Sequence, residues 1–108
     1  MSYQKIRPVD GDRITANPDG SLIVPDQPII PYIECDGIGP DITAASMHIW
    51  NTAIAKAYGG KRKIAWMEVF AGEKSCEVYG EGVWLPDETL EAISYHRIAI
   101  KAILRLPP

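Results

Sequence analysis

The stretch from Ile29 to Phe70 limits the fold more than any other part of this sequence. It opens on a five-residue apolar run, Ile29-Ile30-Pro31-Tyr32-Ile33, and passes through the glycine-containing turn Glu34-Cys35-Asp36-Gly37-Ile38-Gly39-Pro40. From about Asp41 to Tyr58 the apolar residues Ile42, Ala45, Ile49, Trp50, Ala53, Ile54 and Ala57 recur at helical spacing, with Ser46 on the same face. Gly39-Pro40-Asp41 suits a helix start, and Gly59-Gly60 suits its stop. A second apolar run, Ile64 to Phe70, follows. A short strand, a helix and a short strand in this order predict two parallel strands joined by a right-handed crossover, and hence an α/β fold.

The rest of the chain extends that unit. Ser75 to Tyr79 reads as a short helix ending at Gly80. Pro86-Asp87-Glu88 opens another, running to about Tyr95 with Leu90, Ala92 and Ile93 as its apolar face. Arg97 to Leu104 reads as a third strand. Upstream, Arg13–Ala16 and Ser21–Val24 flank Asn17-Pro18-Asp19-Gly20, in which proline fixes φ and glycine supplies φ > 0, so the pair predicts a β-hairpin. Residues 1–12 show no periodicity and read as a loose arm. The expected organisation is one incomplete α/β unit: arm 1–12, β-hairpin 13–24, and β-α-β-α-β over 29–104 with parallel strands. Both sheet edges are left open.

With 108 residues the chain has the size of a single domain. Eleven Lys and Arg against fourteen Asp and Glu give a net charge of −3, which argues against a nonspecific nucleic-acid binder. No run approaches the roughly 20 apolar residues of a membrane span. Two cysteines, Cys35 and Cys76, make no disulfide framework and fit free thiols in a reducing compartment, so the cytoplasm is the expected location.

Few residues point to chemistry. Asp36-Gly37-Ile38-Gly39 joins a strand to a helix. Glycine allows a tight turn and close approach to a ligand, and a helix N-terminus favours an anion. It is neither G-x-G-x-x-G nor a Walker pattern, so a purely structural turn and a phosphate or nicotinamide contact both stand. Lys101 ends the third strand, where ligands gather in open α/β sheets. It suits a carboxylate or a proton transfer, and equally a lysine reaching for water. Cys35 reads as a small buried residue, since no Lys or His adjoins it in sequence to activate the thiol. His48 and His96 lack zinc spacing, and His96 at a helix end suits the dipole as a cation. No metal ligands are assigned.

Taken in order, Ile23 to Thr43 (IVPDQPIIPYIECDGIGPDIT), Ala53 to Ser75 (AIAKAYGGKRKIAWMEVFAGEKS) and the VYGEGVWLPDETLEAI and RIAIK stretches resemble the N-terminal part of the bacterial NADP-dependent isocitrate dehydrogenases, members of the β-decarboxylating dehydrogenases. The resemblance runs from about Gly11 to Lys101. It implies part of the large domain of such a subunit, in an isocitrate/isopropylmalate dehydrogenase-like fold. The implied reaction is oxidation of isocitrate with NADP, then decarboxylation to 2-oxoglutarate assisted by Mg or Mn. By the same resemblance Lys101 lies near the substrate, and Asp36, Gly37 and Ile38 border the cofactor. The family turn reads Glu-Gly-Asp-Gly, and Cys35 stands at its first glycine; if that position needs φ > 0, the cysteine costs about 1–3 kcal/mol. After Lys101 the family continues Gly-Pro-Leu-Thr-Thr-Pro. Here the sequence reads Ala102-Ile103-Leu104-Arg105-Leu106-Pro107-Pro108, with Arg105 and Leu106 at the two threonines. The family's substrate arginines, metal aspartates and adenine pocket have no counterpart in these 108 residues. The expectation is therefore a truncated or frameshifted piece of such an enzyme, inactive alone and holding neither NADP nor metal. The alternative is a short non-catalytic protein docking on a full-length subunit. A homodimer is the other partner that the resemblance implies; neither nucleic acid nor membrane is expected.

Overall fold

A computed structural model describes residues 2–102. Its elements are β1 (Thr15–Ala16), β2 (Leu22–Ile23), β3 (Ile29–Ile33), α1 (Gly39–Tyr58), β4 (Ala65–Glu68), α2 (Glu73–Tyr79), α3 (Asp87–His96) and β5 (Ile100–Lys101). The α/β class and the parallel three-stranded sheet are as the sequence predicts. β3 is central, with β4 on one side and β5 on the other, both parallel to it. β1 and β2 form the expected antiparallel hairpin. Its turn is closed by Asp19, whose carboxylate accepts from the Ser21 N–H at 3.0 Å and the Ser21 hydroxyl at 2.6 Å.

The two-residue period of the strands separates the sheet faces. Ile29, Pro31 and Ile33 pair in register with Ala65, Met67 and Lys101. The core gathers on this face: Ile29, Ile33, Ala65 and Met67 pack with Ile6, Cys35, Val69, Ala71 and Ala92. On the other face Ile30 pairs with Trp66, and Tyr32 lies between Glu68 and Ile100.

Helix α1 attaches to that second face, though not as its apolar pattern predicts. Trp50 stacks on Trp66 at 5.6 Å, and Asn51 accepts from the Trp66 indole N–H at 2.9 Å. Beyond its first two residues the less exposed positions of α1 are Thr43, Ser46, Met47 and Ile54. Ile49 instead looks outward, 64% exposed, and Ile42, 44% exposed, sits at the rim of the seam. The apolar stripe is wider than the seam with the sheet, so only its Trp50–Ile54 edge is covered. In α3 the predicted apolar face is also rotated. Thr89, Ala92 and His96, at i, i+3 and i+7, are buried, and Leu90 is exposed.

Residues 2–12 do not form a loose arm. Ile6 is buried in the core, and Tyr3 and Val9 pack against it. The main-chain N–H groups of Gln4, Lys5 and Ile6 donate to the Glu88 carboxylate at 2.7, 3.0 and 3.4 Å. The Tyr79 hydroxyl donates to the same carboxylate. The third strand is shorter than the predicted Arg97–Leu104, and residues 103–104 lie outside the described residues, as do Arg105 and Leu106. Arg97 ends α3 at φ 70, and its N–H donates to the Ile93 carbonyl.

Candidate functional site at the C-terminal edge of the sheet

Parallel strands send all their C-terminal ends to one edge, and here that edge carries Lys101 and the turn with Cys35, Asp36, Gly37 and Ile38, whereas His48 and His96 lie away from it on α1 and at the end of α3. β3 ends at Ile33 opposite Lys101 of β5. The Ala102 N–H donates to the Ile33 carbonyl at 3.1 Å, and the Cys35 thiol donates to the Ala102 carbonyl at 3.3 Å. Lys101 thus lies beside the turn that holds Asp36, Gly37 and Ile38. Its ammonium is exposed and donates to the Ala102 carbonyl at 3.0 Å.

The turn departs from ordinary backbone geometry at two places. Cys35 has φ 64 and Gly37 has φ 61. A positive φ is inexpensive for glycine and costs a β-carbon-bearing residue about 1–3 kcal/mol. The position at which the resembling family carries glycine therefore needs the conformation that glycine favours, and Cys35 adopts it under strain. The Cys35 side chain is 2% exposed. Burial pushes its thiol pKa up, against the opposing pull of the Lys101 cation. The fold thus supplies the nearby lysine that the sequence does not show, and desolvation outweighs it. Gly39 meets a different demand: a β-carbon there would stand 2.1 Å from the Glu34 carbonyl oxygen.

Asp36 is committed within the fold. Its two carboxylate oxygens accept from the N–H groups of Glu73 and Lys74 at 3.0 and 3.1 Å, satisfying orphan donors at the start of α2. Gly37 and Ile38 are exposed, and the Ile38 carbonyl accepts from the Ile42 N–H at 3.0 Å.

One cluster escaped the sequence reading. Lys74 Nζ donates to Glu34 at 2.6 Å and to Glu68 at 2.5 Å, all three side chains being partly covered. Burial works to raise Glu34, but the hydrogen bonds from Lys74 and Glu68 hold it below the usual carboxylate value. Burial raises Glu68, and its contact with Glu34 adds to the rise. Burial alone would lower Lys74; hydrogen bonds to both carboxylates raise it. The missing signal was strand register: only the pairing of Tyr32 with Glu68 brings Glu34 to the same sheet end.

These groups enclose little space. A cleft of about 100 Å³ between α1 and the sheet is lined by residues including Tyr32, Ile42, Trp50 and Lys101, but not by Asp36, Gly37 or Ile38. A small-molecule site usually needs about 300–1,000 Å³. Among the described residues no three His, Cys, Asp or Glu side chains gather to hold a metal, and no helix is long and apolar enough to cross a membrane.

Residues 29–108 match the isocitrate/isopropylmalate dehydrogenase family model. The chain belongs to that family. Among its relatives are the NADP isocitrate dehydrogenases of Pseudomonas aeruginosa, 54% identical over 108 residues, and of Coxiella burnetii, 53% identical over 108 residues. Isocitrate dehydrogenase (NADP) 1 of Colwellia maris is 50% identical over 107 residues. Each match takes in 99% of this chain and 25–26% of the relative. The chain thus spans about a quarter of the length of the curated relatives it matches, and it matches their N-terminal part.

Proposed function

We propose that this chain supplies the N-terminal part of an NADP-dependent isocitrate dehydrogenase and has no turnover by itself. The observation that carries this reading is the 54% identity across 99% of the chain to a protein four times its length. In the assembled enzyme the exposed Gly37 and Ile38 border the nicotinamide, which takes up hydride when bound. Asp36 holds the turn to α2 and is not itself a ligand group. The exposed Lys101 ammonium sits at the same edge, suited to a substrate carboxylate or to moving a proton at the oxidised carbon. Metal ligands come from elsewhere in such an enzyme, which works as a cytoplasmic homodimer.

Two assays test this. The purified chain, given isocitrate, NADP and Mg, should form no NADPH above a blank; turnover that follows the chain through purification would overturn its inactivity alone. A chimera carrying residues 1–101 in place of the matching segment of the Pseudomonas aeruginosa enzyme should be active. Lys101→Met in that chimera should lose about 10²-fold or more in kcat/KM. A folded but inactive chimera, or one indifferent to Lys101→Met, sinks the assignment.

The second reading, a non-catalytic protein docking on a full-length subunit, rests on the outward apolar side of α1 at Ile49. Retention of the chain by an immobilised full-length subunit, lost in Ile49→Glu, supports it; no retention removes it.

A further inference from the structure

The turn between β3 and α1 holds a shape that its own backbone disfavours. Cys35 sits at φ 64, and such a residue persists only where its surroundings over-determine it. Both of its chain neighbours are held by the start of α2. On one side, Asp36 accepts from the main-chain N–H groups of Glu73 at 3.0 Å and Lys74 at 3.1 Å. On the other, Glu34 accepts from the Lys74 ammonium at 2.6 Å. That ammonium is braced from β4 by Glu68 at 2.5 Å and lies 5.8 Å from the Phe70 ring. Lys74 therefore grips the turn on both sides of its strained residue, once through its backbone and once through its side chain.

We propose that Lys74 is a positioning residue that keeps Cys35 in the left-handed conformation and so sets where Gly37 and Ile38 face. The proposal deepens the functional reading above, because those two residues are the ones assigned there to the cofactor. Its evidence is independent of that reading: the strained φ and the two-sided contact stand whatever the turn binds. An ordinary partly exposed ion pair contributes little and is indifferent to the identity of residue 35. A clamp is not indifferent to it, since glycine at the same φ needs no holding.

Thiol labelling with iodoacetamide, read by mass spectrometry, tests this on the whole chain, with Cys76 as internal reference. Cys35 should label slowly in the unsubstituted protein, because it is 2% exposed. Lys74→Met should speed Cys35 labelling about tenfold or more relative to Cys76, equivalent to about 1.4 kcal/mol of lost restraint. Lys74→Arg, which keeps the cation, should stay near the unsubstituted rate. Thermal melts then give the coupling: the drop in Tm caused by Lys74→Met should shrink in a Cys35→Gly background. If Lys74→Met fails to fold, Cys35→Gly should restore folding. Unchanged Cys35 labelling, an equal Tm loss in both backgrounds, or no rescue by glycine would each overturn the proposal. No cofactor or substrate enters the experiment, so its failure and the failure of the functional reading are told apart.

Discussion

Gly37 and Gly39 stand two residues apart in one turn, and the fold needs glycine at each for a different reason. At Gly37 the requirement is the backbone angle alone, since a β-carbon there would meet nothing. Gly37→Ala should therefore cost only the left-handed penalty, about 1 kcal/mol. At Gly39 the backbone angle is ordinary and space is the limit. A β-carbon 2.1 Å from the Glu34 carbonyl oxygen forces main chain to move, so Gly39→Ala should cost about 3 kcal/mol or more. Urea denaturation midpoints of the two variants check the ranking, and an equal loss at both positions would show that the turn yields at Gly39. The sequence marks both residues only as turn glycines, because periodicity carries neither φ nor clearance.

At the scale of elements, the strands and helices were legible and the faces they bury were not. Five apolar residues ahead of a glycine turn suffice to locate β3, and Gly59-Gly60 suffices to end α1. Which side of α1 meets the sheet depends on Trp66, whose indole pulls in Trp50 and Asn51 from a strand that the helix pattern knows nothing about. In α3 a threonine and a histidine occupy the buried face. Thr89 is fully buried because its hydroxyl donates to the Phe70 carbonyl at 2.8 Å and accepts from the Phe70 N–H at 3.2 Å. Hydropathy reads such a residue as exposed, although a satisfied hydroxyl tolerates burial. The candidate site divides in the same way. Asp36, Gly37, Ile38 and Lys101 were visible as a turn and a strand end, whereas the Glu34–Lys74–Glu68 cluster exists only once register is set. The split face of α1 gives a direct check. Trp50→Ala should cost about 2 kcal/mol by removing the aromatic anchor and its buried area, and hydrogen exchange should quicken in α1 while β3 and β4 stay protected. Ile49→Ala, on the outward face, should stay within about 0.5 kcal/mol. The reverse order would place the sheet contact on the other stripe.

For the molecule as a whole, acid is the informative stress, because one titratable group of α3, Glu88, ties down the arm and another, His96, is buried. Glu88 collects three main-chain N–H groups of the arm and the Tyr79 hydroxyl. Burial works to raise its pKa, but the Tyr79 hydrogen bond and those N–H groups carry it below the ordinary 4.5. A carboxylate depressed in the folded state contributes stability that is present above pH 4.5 and is gone once pH has fallen through the folded value. His96 acts in a higher window. It is 5% exposed, its Nδ1 has no hydrogen-bond partner, and the dipole role suggested by its place at a helix end gives way to burial. Burial first, then the Arg13 cation, which itself lies over the Tyr95 ring at 3.9 Å, lower its pKa below the ordinary 6.5. The unfolded chain therefore takes up the proton before the folded one does. Stability contributed by neutral His96 is complete above pH 6.5, falls as pH drops below 6.5, and stops falling below the folded value. Urea stability measured from pH 8 to pH 3 should show two descents, one starting near pH 6.5 and one below 4.5. His96→Gln should flatten the first and leave the second; Glu88→Gln should do the opposite and quicken exchange at the amides of residues 4–6. A flat profile between pH 7 and pH 5 would mean that His96 accepts its proton without a cost from its burial.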